Sequence, residues 1–410
     1  MEQEQRGELI VGLDIGTTKI CAVVGEIKGE TVDIIGMGSA PSMGLRKGVV
    51  VNIESTVNAV RKAVDEAEEM AGCDINTVLV GIAGSHIKGF NSPGVVGIKN
   101  REIRQDDIDR VVDAARAVKI SQNQEVIHVL PQEFMVDDHT GIQDPLGMTG
   151  VRLVTNVHIV TGDATSVHNL AMCCDRAKLQ VMDIVLESLA SAHAVLTPEE
   201  MELGVALVDI GGGTTDLAIF AGGTIRHTFE MGLGGHNLTN DLSVGLRTPL
   251  QDAERLKNEF GCALASMIDK NQTIEVPTVG NRQPRLLSRR VMGEIMEPRI
   301  EEILTFVHQE LIDSSYKERI PAGVVITGGT AMLSHIVELA EQIFDMPVRI
   351  GCPRDIGGLT EIVAAPQFAT GVGLVQYGRK NLGRGRGRRG NRQVVSRMSS
   401  WLKNMLGSSK

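Results

Sequence analysis

The chain has 410 residues, which exceeds what one hydrophobic core usually serves and predicts two to four compact units. With 42% apolar and 22% charged residues, its composition excludes disordered and fibrous proteins. From Arg379 onward there are ten Lys or Arg and no acid, so the net charge of −10 leaves −20 on residues 1–378 (−10 minus +10). That acidic charge argues against a nucleic-acid-binding surface on the folded part.

The N-terminus, MEQEQRGE, lacks the apolar core of a secretion signal, and no apolar run approaches the ~20 residues that span a bilayer. We therefore expect a protein without a transmembrane segment. The six Cys are scattered, with no C-x-x-C pair and no metal-ligand spacing. They are interpreted as reduced core thiols rather than a zinc or redox site.

Two segments of the chain resemble each other: LIVGLDIGTTKICAVVGE (9–26) and VALVDIGGGTTDLAIFAGG (205–223). Each pattern predicts a strand, a Gly turn and a second strand. A Rossmann fingerprint would enter a helix after its glycines, and no P-loop motif is present. Gly turns let backbone N–H groups approach phosphate, and Asp14 and Asp209 at the strand ends could hold a Mg²⁺ hydration shell. The alternative is a pair of tight turns with solvated carboxylates.

The region between the two repeats also has the pattern of a unit of its own. The segments EVIHVL and VRLVTNVHIV predict strands, and QDDIDRVVDAARAVK predicts one amphipathic helix. Pro and Gly in SPGVVG and DPLGMTG indicate loops at a domain edge.

A third glycine signal lies at 324–344, VVITGGTAMLSHIVELAEQIF. It predicts a buried strand, a Gly-Gly turn and a helix that begins at about Met332. A turn that opens a helix suits close packing against an adenine or a ribose.

The C-terminal region changes character twice. Residues 381–393, NLGRGRGRRGNRQ, predict a flexible basic linker. Residues 394–407 then predict an amphipathic helix suited to lie in an anionic membrane surface, with Trp401, the only Trp of the chain, at the headgroups. Its apolar arc consists of Val394, Val395, Met398, Trp401, Leu402, Met405 and Leu406. The alternatives are a helix docked on the protein's own core and an RGG-like nucleic-acid tail.

The three glycine elements, in this order, resemble the actin and heat-shock chaperone ATPase superfamily. Further segments are similar to the FtsA family of bacterial cell-division proteins within it, among them LPQEF (130–134), LASAHAVL (189–196), VPTVGNRQPR (276–285), EPRIEEIL (297–304) and VRIGCP (348–353). The resemblance implies an α/β, actin-like, two-lobed fold with duplicated ribonuclease-H-like cores, an inserted 1C subdomain and a C-terminal amphipathic helix.

The resemblance also implies subdomain bounds. Subdomain 1A is expected at 7–84, 163–197 and 362–380, with 1C at 85–162. Subdomain 2A is expected at 198–234 and 305–361, with 2B at 235–304.

The family's nucleotide site carries over residue by residue, with ATP and Mg²⁺ as cofactors and Asp14 and Asp209 at the metal. The first phosphate loop is Asp14, Gly16, Thr17, Thr18 and Lys19. The second is Asp209, Gly211, Gly212, Gly213 and Thr214. The adenosine loop is Gly328, Gly329 and Thr330. Glu254 and Lys257 fit the E-x-x-K spacing that reaches the base and ribose, and an exposed ion pair is the alternative.

Glu187 is the candidate for catalysis, because it lies where chaperone relatives have Glu-Pro-Thr-Ala. Ser188 replaces that Pro, so a helix-cap role stays open, and we expect tight ATP binding with slow or absent turnover. Arg299 and Glu302 correspond to the family's site for the C-terminal peptide of the tubulin-like protein FtsZ. The alternative for these two residues is ordinary solvated charge on a helix.

The implied function is an ATP-binding cell-division protein that polymerises at the inner face of the cytoplasmic membrane. It would anchor FtsZ there, peripherally and at the division site, and recruit later division proteins through 1C, with no nucleic-acid partner. A pilus-assembly or rod-shape relative is the alternative. A sugar kinase would have no use for the tail, and a chaperone would need a client domain for which about 30 residues after position 380 leave no room.

Overall fold

The computed structural model describes residues 7–280 and 283–385. Its strands are β1 Leu9–Ile15, β2 Lys19–Lys28, β3 Thr31–Pro41, β4 Leu45–Arg46, β5 Val49–Val50, β6 Thr77–Ile82, β7 Lys88–Gly97, β8 Gln124–Val136, β9 His139–Ile142, β10 Arg152–Asp163, β11 Gln180–Leu186, β12 Val205–Ile210, β13 Thr215–Ala221, β14 Thr224–Met231, β15 Thr273–Val276, β16 Arg285–Ser288, β17 Val324–Thr327, β18 Val348–Ile350 and β19 Ile356–Gly358.

The helices lie between these strands and at the C-terminal end of the described residues. They are α1 Ile53–Ala71, α2 Gln105–Arg116, α3 Ala164–Arg176, α4 Glu187–Val195, α5 Pro198–Leu203, α6 Gly235–Leu246, α7 Leu250–Phe260, α8 Arg289–Asp313, α9 Ile336–Phe344, α10 Thr360–Val363 and α11 Ala369–Gly385, with short 3₁₀ turns at Ala265–Met267, Lys317–Arg319, Gly329–Met332 and Pro366–Phe368.

Each lobe is built on one mixed sheet, and the two sheets have the same plan. In the first lobe the strand order is β11-β6-β1-β2-β3-β19, and in the second it is β14-β13-β12-β17-β18. In both, the repeat's hairpin is antiparallel (β1 with β2, β12 with β13), and its first strand also pairs in parallel with a later strand (β6 or β17). The predicted duplication of ribonuclease-H-like cores is therefore confirmed.

The hairpin strands are buried on both faces, which explains why they read as continuous apolar runs rather than alternating ones. Every residue from Val205 to Ile210 in β12 is buried. Helices cover the sheets, as α1 does by placing Val60, Ala63 and Ala67 against the first core. Two-sided coverage is the usual arrangement where parallel pairing occurs.

The insert between the repeats is a separate unit, as predicted. It is a four-stranded antiparallel sheet, β7-β10-β8-β9, covered by α2. Its own small core includes Ile103, Val111 and Leu153. The insert therefore folds around side chains that belong to neither of the large cores.

Three predicted boundaries need correction. Strand β19 pairs in parallel with β3, so Ile356–Gly358 belongs to the first lobe. It was expected in the second lobe, within 305–361. The pairing satisfies backbone groups of β3 at the edge of the first sheet. Helix α11 continues to Gly385, past position 380, since extending a packed helix costs far less than starting one. Helix α9 begins at Ile336, after a 3₁₀ turn at Gly329–Met332.

The rest of the predicted linker and the amphipathic helix at 394–407 lie outside the described residues. Within the described part of the chain, no helix is both long and apolar enough to pass through a bilayer.

Candidate functional site

The two repeated turns face each other between the lobes and are in contact. Each is closed in the same way, by backbone hydrogen bonds from Gly16 N to Lys19 O (3.1 Å) and from Gly211 N to Thr214 O (3.0 Å). A Cβ on Gly212 would overlap the Thr18 hydroxyl, so only glycine permits this approach. The sequence repeat therefore corresponds to a pair of apposed loops, whose backbone N–H groups could approach phosphate from both sides.

One carboxylate stands at the base of each loop. Asp14 and Asp209 are almost fully buried. Burial raises the pKa of Asp14 to about 6, with Lys19 opposing the shift, and burial likewise raises the pKa of Asp209. Asp209 Oδ2 accepts a hydrogen bond from Ser191 Oγ (2.6 Å). Neither carboxylate is solvated, so the alternative of turns with solvated Asp residues is wrong.

Lys19, the last residue of the first phosphate loop, makes its side-chain contacts outside that loop. Its ammonium donates to the Gln367 carbonyl (2.9 Å) and lies 4.1 Å from the centre of the Phe368 ring. Both contacts belong to the segment that leads into α11. Lys19 therefore joins the first loop to the C-terminal part of the first lobe.

Glu187 lines a small cavity beside the first phosphate loop, to which the second lobe contributes Thr214. The lining residues are Ile15, Gly16, Thr17, Gly48, Gly81, Ile82, Ala83, Leu170, Glu187 and Thr214. Burial, followed by the charge of Asp14, raises the pKa of Glu187 well above its usual range. The N-cap of α4 is Leu186, and Glu187 is the first helical residue, so the Glu187 side chain does not cap this helix.

Two carboxylates at the site were missed in the sequence, Asp216 and Glu230. Burial raises the pKa of both well above the ordinary range. Asp216 Oδ1 and Glu230 Oε1 are buried and have no hydrogen-bond partner among the described residues. The repeat itself held a signal for Asp216, because GTTK in the first copy aligns with GTTD in the second, so both copies end on a charged residue.

The adenosine loop packs directly on the second phosphate loop. Thr330 Oγ1 donates to the Gly211 carbonyl (3.1 Å), which also accepts from Gly235 N (2.9 Å). Gly328 has φ 88°, and a Cβ there would overlap Asp209 Oδ1. The structure therefore brings these two predicted loops together.

Glu254 and Lys257 lie beside the same two loops. The Lys257 ammonium is buried and donates to Glu254 Oε2 (2.8 Å), Thr239 Oγ1 (2.9 Å) and the Gly235 carbonyl (3.1 Å). Glu254 Oε2 also accepts from the Thr239 hydroxyl. Glu254 and Lys257 therefore form an ion pair, but the alternative interpretation, that this pair is exposed, is wrong.

Arg299 and Glu302 lie away from the cleft, on α8. Arg299 Nε is 2.7 Å from Asp241 Oδ2 on α6, and its Nη1 contacts Glu302. The hydrogen bond with Asp241 raises the pKa of Arg299. Val244, one turn beyond Asp241, is 78% exposed, so charged and apolar groups share this face.

The donor set fits a nucleotide with its magnesium ion. Among the described residues no cluster of three or more His, Cys, Asp or Glu could hold a metal by itself. Mg²⁺ in phosphate-transfer sites is typically held by one or two carboxylates together with phosphate oxygens and water. Asp14 and Asp209 could supply those carboxylates, and a divalent cation beside them would oppose the rise in pKa that their burial causes.

Comparisons with known proteins agree with this geometry. A family model described as cell division protein FtsA matches residues 206–373, and one described as the SHS2 domain inserted in FtsA matches residues 84–161. Cell division protein FtsA of Pseudomonas aeruginosa is 52% identical over 379 residues, covering 92% of this chain and 91% of that protein.

Two solved structures share the fold. The PilM-PilN type IV pilus biogenesis complex has a TM-score of 0.64 at 15% identity and covers 90% of this chain and 98% of that one. MreB5 of Spiroplasma citri bound to ADP has a TM-score of 0.53 at 15% identity and covers 92% and 98%. Identities this low show likeness of fold alone. The fold is that of actin-like ATPases, and by its sequence the chain belongs to the FtsA family of cell division proteins.

Proposed function

We propose that this chain is an ATP-binding, actin-like division protein that assembles at the cytoplasmic face of the cell membrane and tethers FtsZ at the division site. The observation that carries the nucleotide part is the pair of apposed Gly turns, each with a buried carboxylate at its base, Asp14 and Asp209. Backbone N–H groups in such turns are suited to phosphate oxygens.

The nucleotide would be held by three groups of residues. Gly16 to Thr18 and Gly211 to Thr214 would contact the phosphates, Gly328 to Thr330 the adenosine, and Glu254 with Lys257 the ribose or base. Asp14 and Asp209 would hold magnesium through its water shell. Bound Mg²⁺ neutralises phosphate charge. The loops touch in this structure, so we expect nucleotide entry to require that they part.

We infer that hydrolysis is slow or absent. Glu187 is the carboxyl group at the cavity, but its raised pKa favours the protonated form, which cannot accept a proton from water. A phosphate-release assay on the full chain tests this. Vigorous steady-state turnover by the free protein would contradict it, whereas ATP binding without release supports it.

Partner binding is assigned to two surfaces. The face with Arg299, Glu302 and Val244 would take the C-terminal peptide of FtsZ, since it combines charge with an exposed apolar side chain. The insert at 85–162 would take later division proteins. Self-association into filaments is proposed from the actin-like fold.

Membrane attachment is assigned to the segment 394–407, with Trp401 as the interfacial anchor. Because Trp401 is the only Trp, its emission reports on this segment alone. With phosphatidylglycerol vesicles we expect a blue shift and co-sedimentation, and with neutral vesicles much less of both. The variant Leu402→Asp, which places a charge in the apolar arc, is the control and should lose both signals. No blue shift and no co-sedimentation of the unmodified chain would refute the anchor.

A further inference from the structure

The inserted subdomain places one histidine against the first-lobe sheet, at the residue that precedes Glu187. The Nε2 atom of His128, in β8, accepts a hydrogen bond from the backbone N–H of Leu186 (3.0 Å). Leu186 ends β11, the outermost strand of the first sheet, and immediately precedes Glu187. A side chain of the insert therefore satisfies an amide at the strand-to-helix junction that carries Glu187.

The geometry determines the protonation state of the His128 ring. A backbone N–H can only donate, so Nε2 must be unprotonated and the ring proton must lie on Nδ1. Burial lowers the pKa of His128 to about 4, which keeps the ring neutral near pH 7. The Tyr377 ring packs edge-on at 6.3 Å and limits rotation of the imidazole.

The junction has no side-chain cap at the start of α4. Leu186 is the N-cap of α4, and its apolar side chain supplies no capping hydrogen bond. Glu187 follows directly, and its carboxyl group passes Gly81, where an added Cβ would lie 3.2 Å from Glu187 Oε1. A small rotation at Leu186 would therefore shift the Glu187 carboxyl group, which packs closely beside Gly81.

We propose that His128 is a positioning residue for Glu187: by holding the Leu186 amide, it sets the direction in which the Glu187 carboxyl group enters the cavity. The insert would thus act on the cavity indirectly, through the junction that carries Glu187. The expected effect on nucleotide affinity rests on the proposed ATP binding, whereas the hydrogen bond between His128 and Leu186 does not.

The first test uses the unmodified chain without nucleotide. Histidine-selective ¹⁵N labelling should show His128 as the neutral Nδ1–H tautomer at pH 7, with Nε2 in the shift range of a hydrogen-bond acceptor. The variant His128→Gln identifies the resonance. A protonated Nε2 would overturn the proposal, and this measurement needs no variant that risks misfolding.

The second test is amide exchange of the peptide covering 180–190. His128→Leu removes the acceptor, and exchange at Leu186 and Glu187 should accelerate about fivefold to tenfold. His128→Gln retains an acceptor and should restore protection. His158→Leu is the matched control, because His158 is a buried histidine of the same subdomain whose ring bonds Asn91 and Thr228 instead. Equal exchange in all three variants would overturn the proposal.

The third test is a double-mutant cycle on the ratio of ATP to ADP affinity. His128→Leu should change the ratio at least threefold when Glu187 is present and leave it unchanged in Glu187→Gln. An equal change in both backgrounds would mean that His128 acts structurally, not through Glu187. If the unmodified chain binds neither nucleotide, the proposed function fails, and the tautomer and exchange experiments still decide the role of His128.

Discussion

Glu230 in the second lobe accepts a hydrogen bond of 2.6 Å from the backbone N–H of Gly84 in the first lobe. Gly84 lies where the chain leaves the first sheet for the insert, and Glu230 lies near the end of β14, two residues beyond Thr228, which contacts His158 of the insert. This one carboxyl group therefore joins the two lobes at the base of the insert.

Glu230→Gln keeps an oxygen for the Gly84 amide and resembles the protonated acid that the raised pKa favours. We expect its free energy of unfolding to stay within about 1 kcal/mol of the unmodified chain. Glu230→Ala leaves the amide unsatisfied and opens a cavity, and should cost about 2–4 kcal/mol. Urea unfolding measures both. A larger loss for Gln than for Ala would refute the assignment.

Gly328→Ala should prevent ATP binding and destabilise the fold. Gly328 has φ 88°, and a Cβ there would overlap Asp209 Oδ1, so we expect a loss of about 2 kcal/mol or more. Gly329→Ala is the matched control, because a Cβ at Gly329 meets no atom within 4 Å and its melting temperature should hardly change. Thermal melts and fluorescent-nucleotide titration report the two effects separately.

Lys257→Met should cost about 3–5 kcal/mol and weaken ATP binding, because the buried ammonium joins Glu254 on α7 to the Gly235 carbonyl on α6. Arg255→Met, on the same helix but with a 54% exposed side chain paired to Asp252 and Glu259, should change stability by less than about 1 kcal/mol. Equal effects of the two substitutions in urea unfolding would support the exposed-pair interpretation instead.

Two buried histidines should destabilise the fold in mild acid. The pKa of His128 and that of His158 are each lowered by burial to about 4, against about 6.5 in the unfolded chain. The unfolded chain then binds more protons, so their contribution is complete above pH 6.5 and falls by about 1 kcal/mol per histidine for each unit below it.

The buried carboxyl groups act in the opposite direction, since raised pKa values of Glu187 and Asp216 favour the folded state as pH falls. The test therefore compares the free energy of unfolding of the unmodified chain with that of His158→Gln at each pH. The stability gap between the unmodified chain and His158→Gln should narrow from pH 7.5 to 5.5, and a gap independent of pH would contradict the buried neutral histidine.

Arg299→Glu should weaken binding of an FtsZ C-terminal peptide at least tenfold, because it reverses the charge on the proposed partner face and repels Asp241. Fluorescence anisotropy with a labelled peptide measures the affinity. Arg290→Glu, on the same helix with its exposed partner Glu294, is the control for charge reversal elsewhere. Unchanged affinity in Arg299→Glu would remove this surface from the proposal.

Much of the proposed nucleotide site could be predicted from local sequence patterns. Gly16, Gly211 and Gly328 mark turns whose backbone geometry depends on neighbours in the chain, so their residue types identify them. Asp216 and Glu230 were missed because an acid in a strand has no local sign of burial, although both are buried in the folded chain. The edge strand β19 was expected in the second lobe because that boundary came from the resemblance, and three residues carry no periodicity that could correct it.

By itself, the sequence determined the duplicated hairpins, the insert as a separate unit, the charge separation of the tail and the family, since each depends on residue type and spacing along the chain. The tertiary structure alone decided which distant residues meet: Thr18 against Gly212, His128 against Leu186, and Glu230 against Gly84. Those contacts join residues 58 to 194 positions apart, and only the packing of two lobes and an insert brings such positions together.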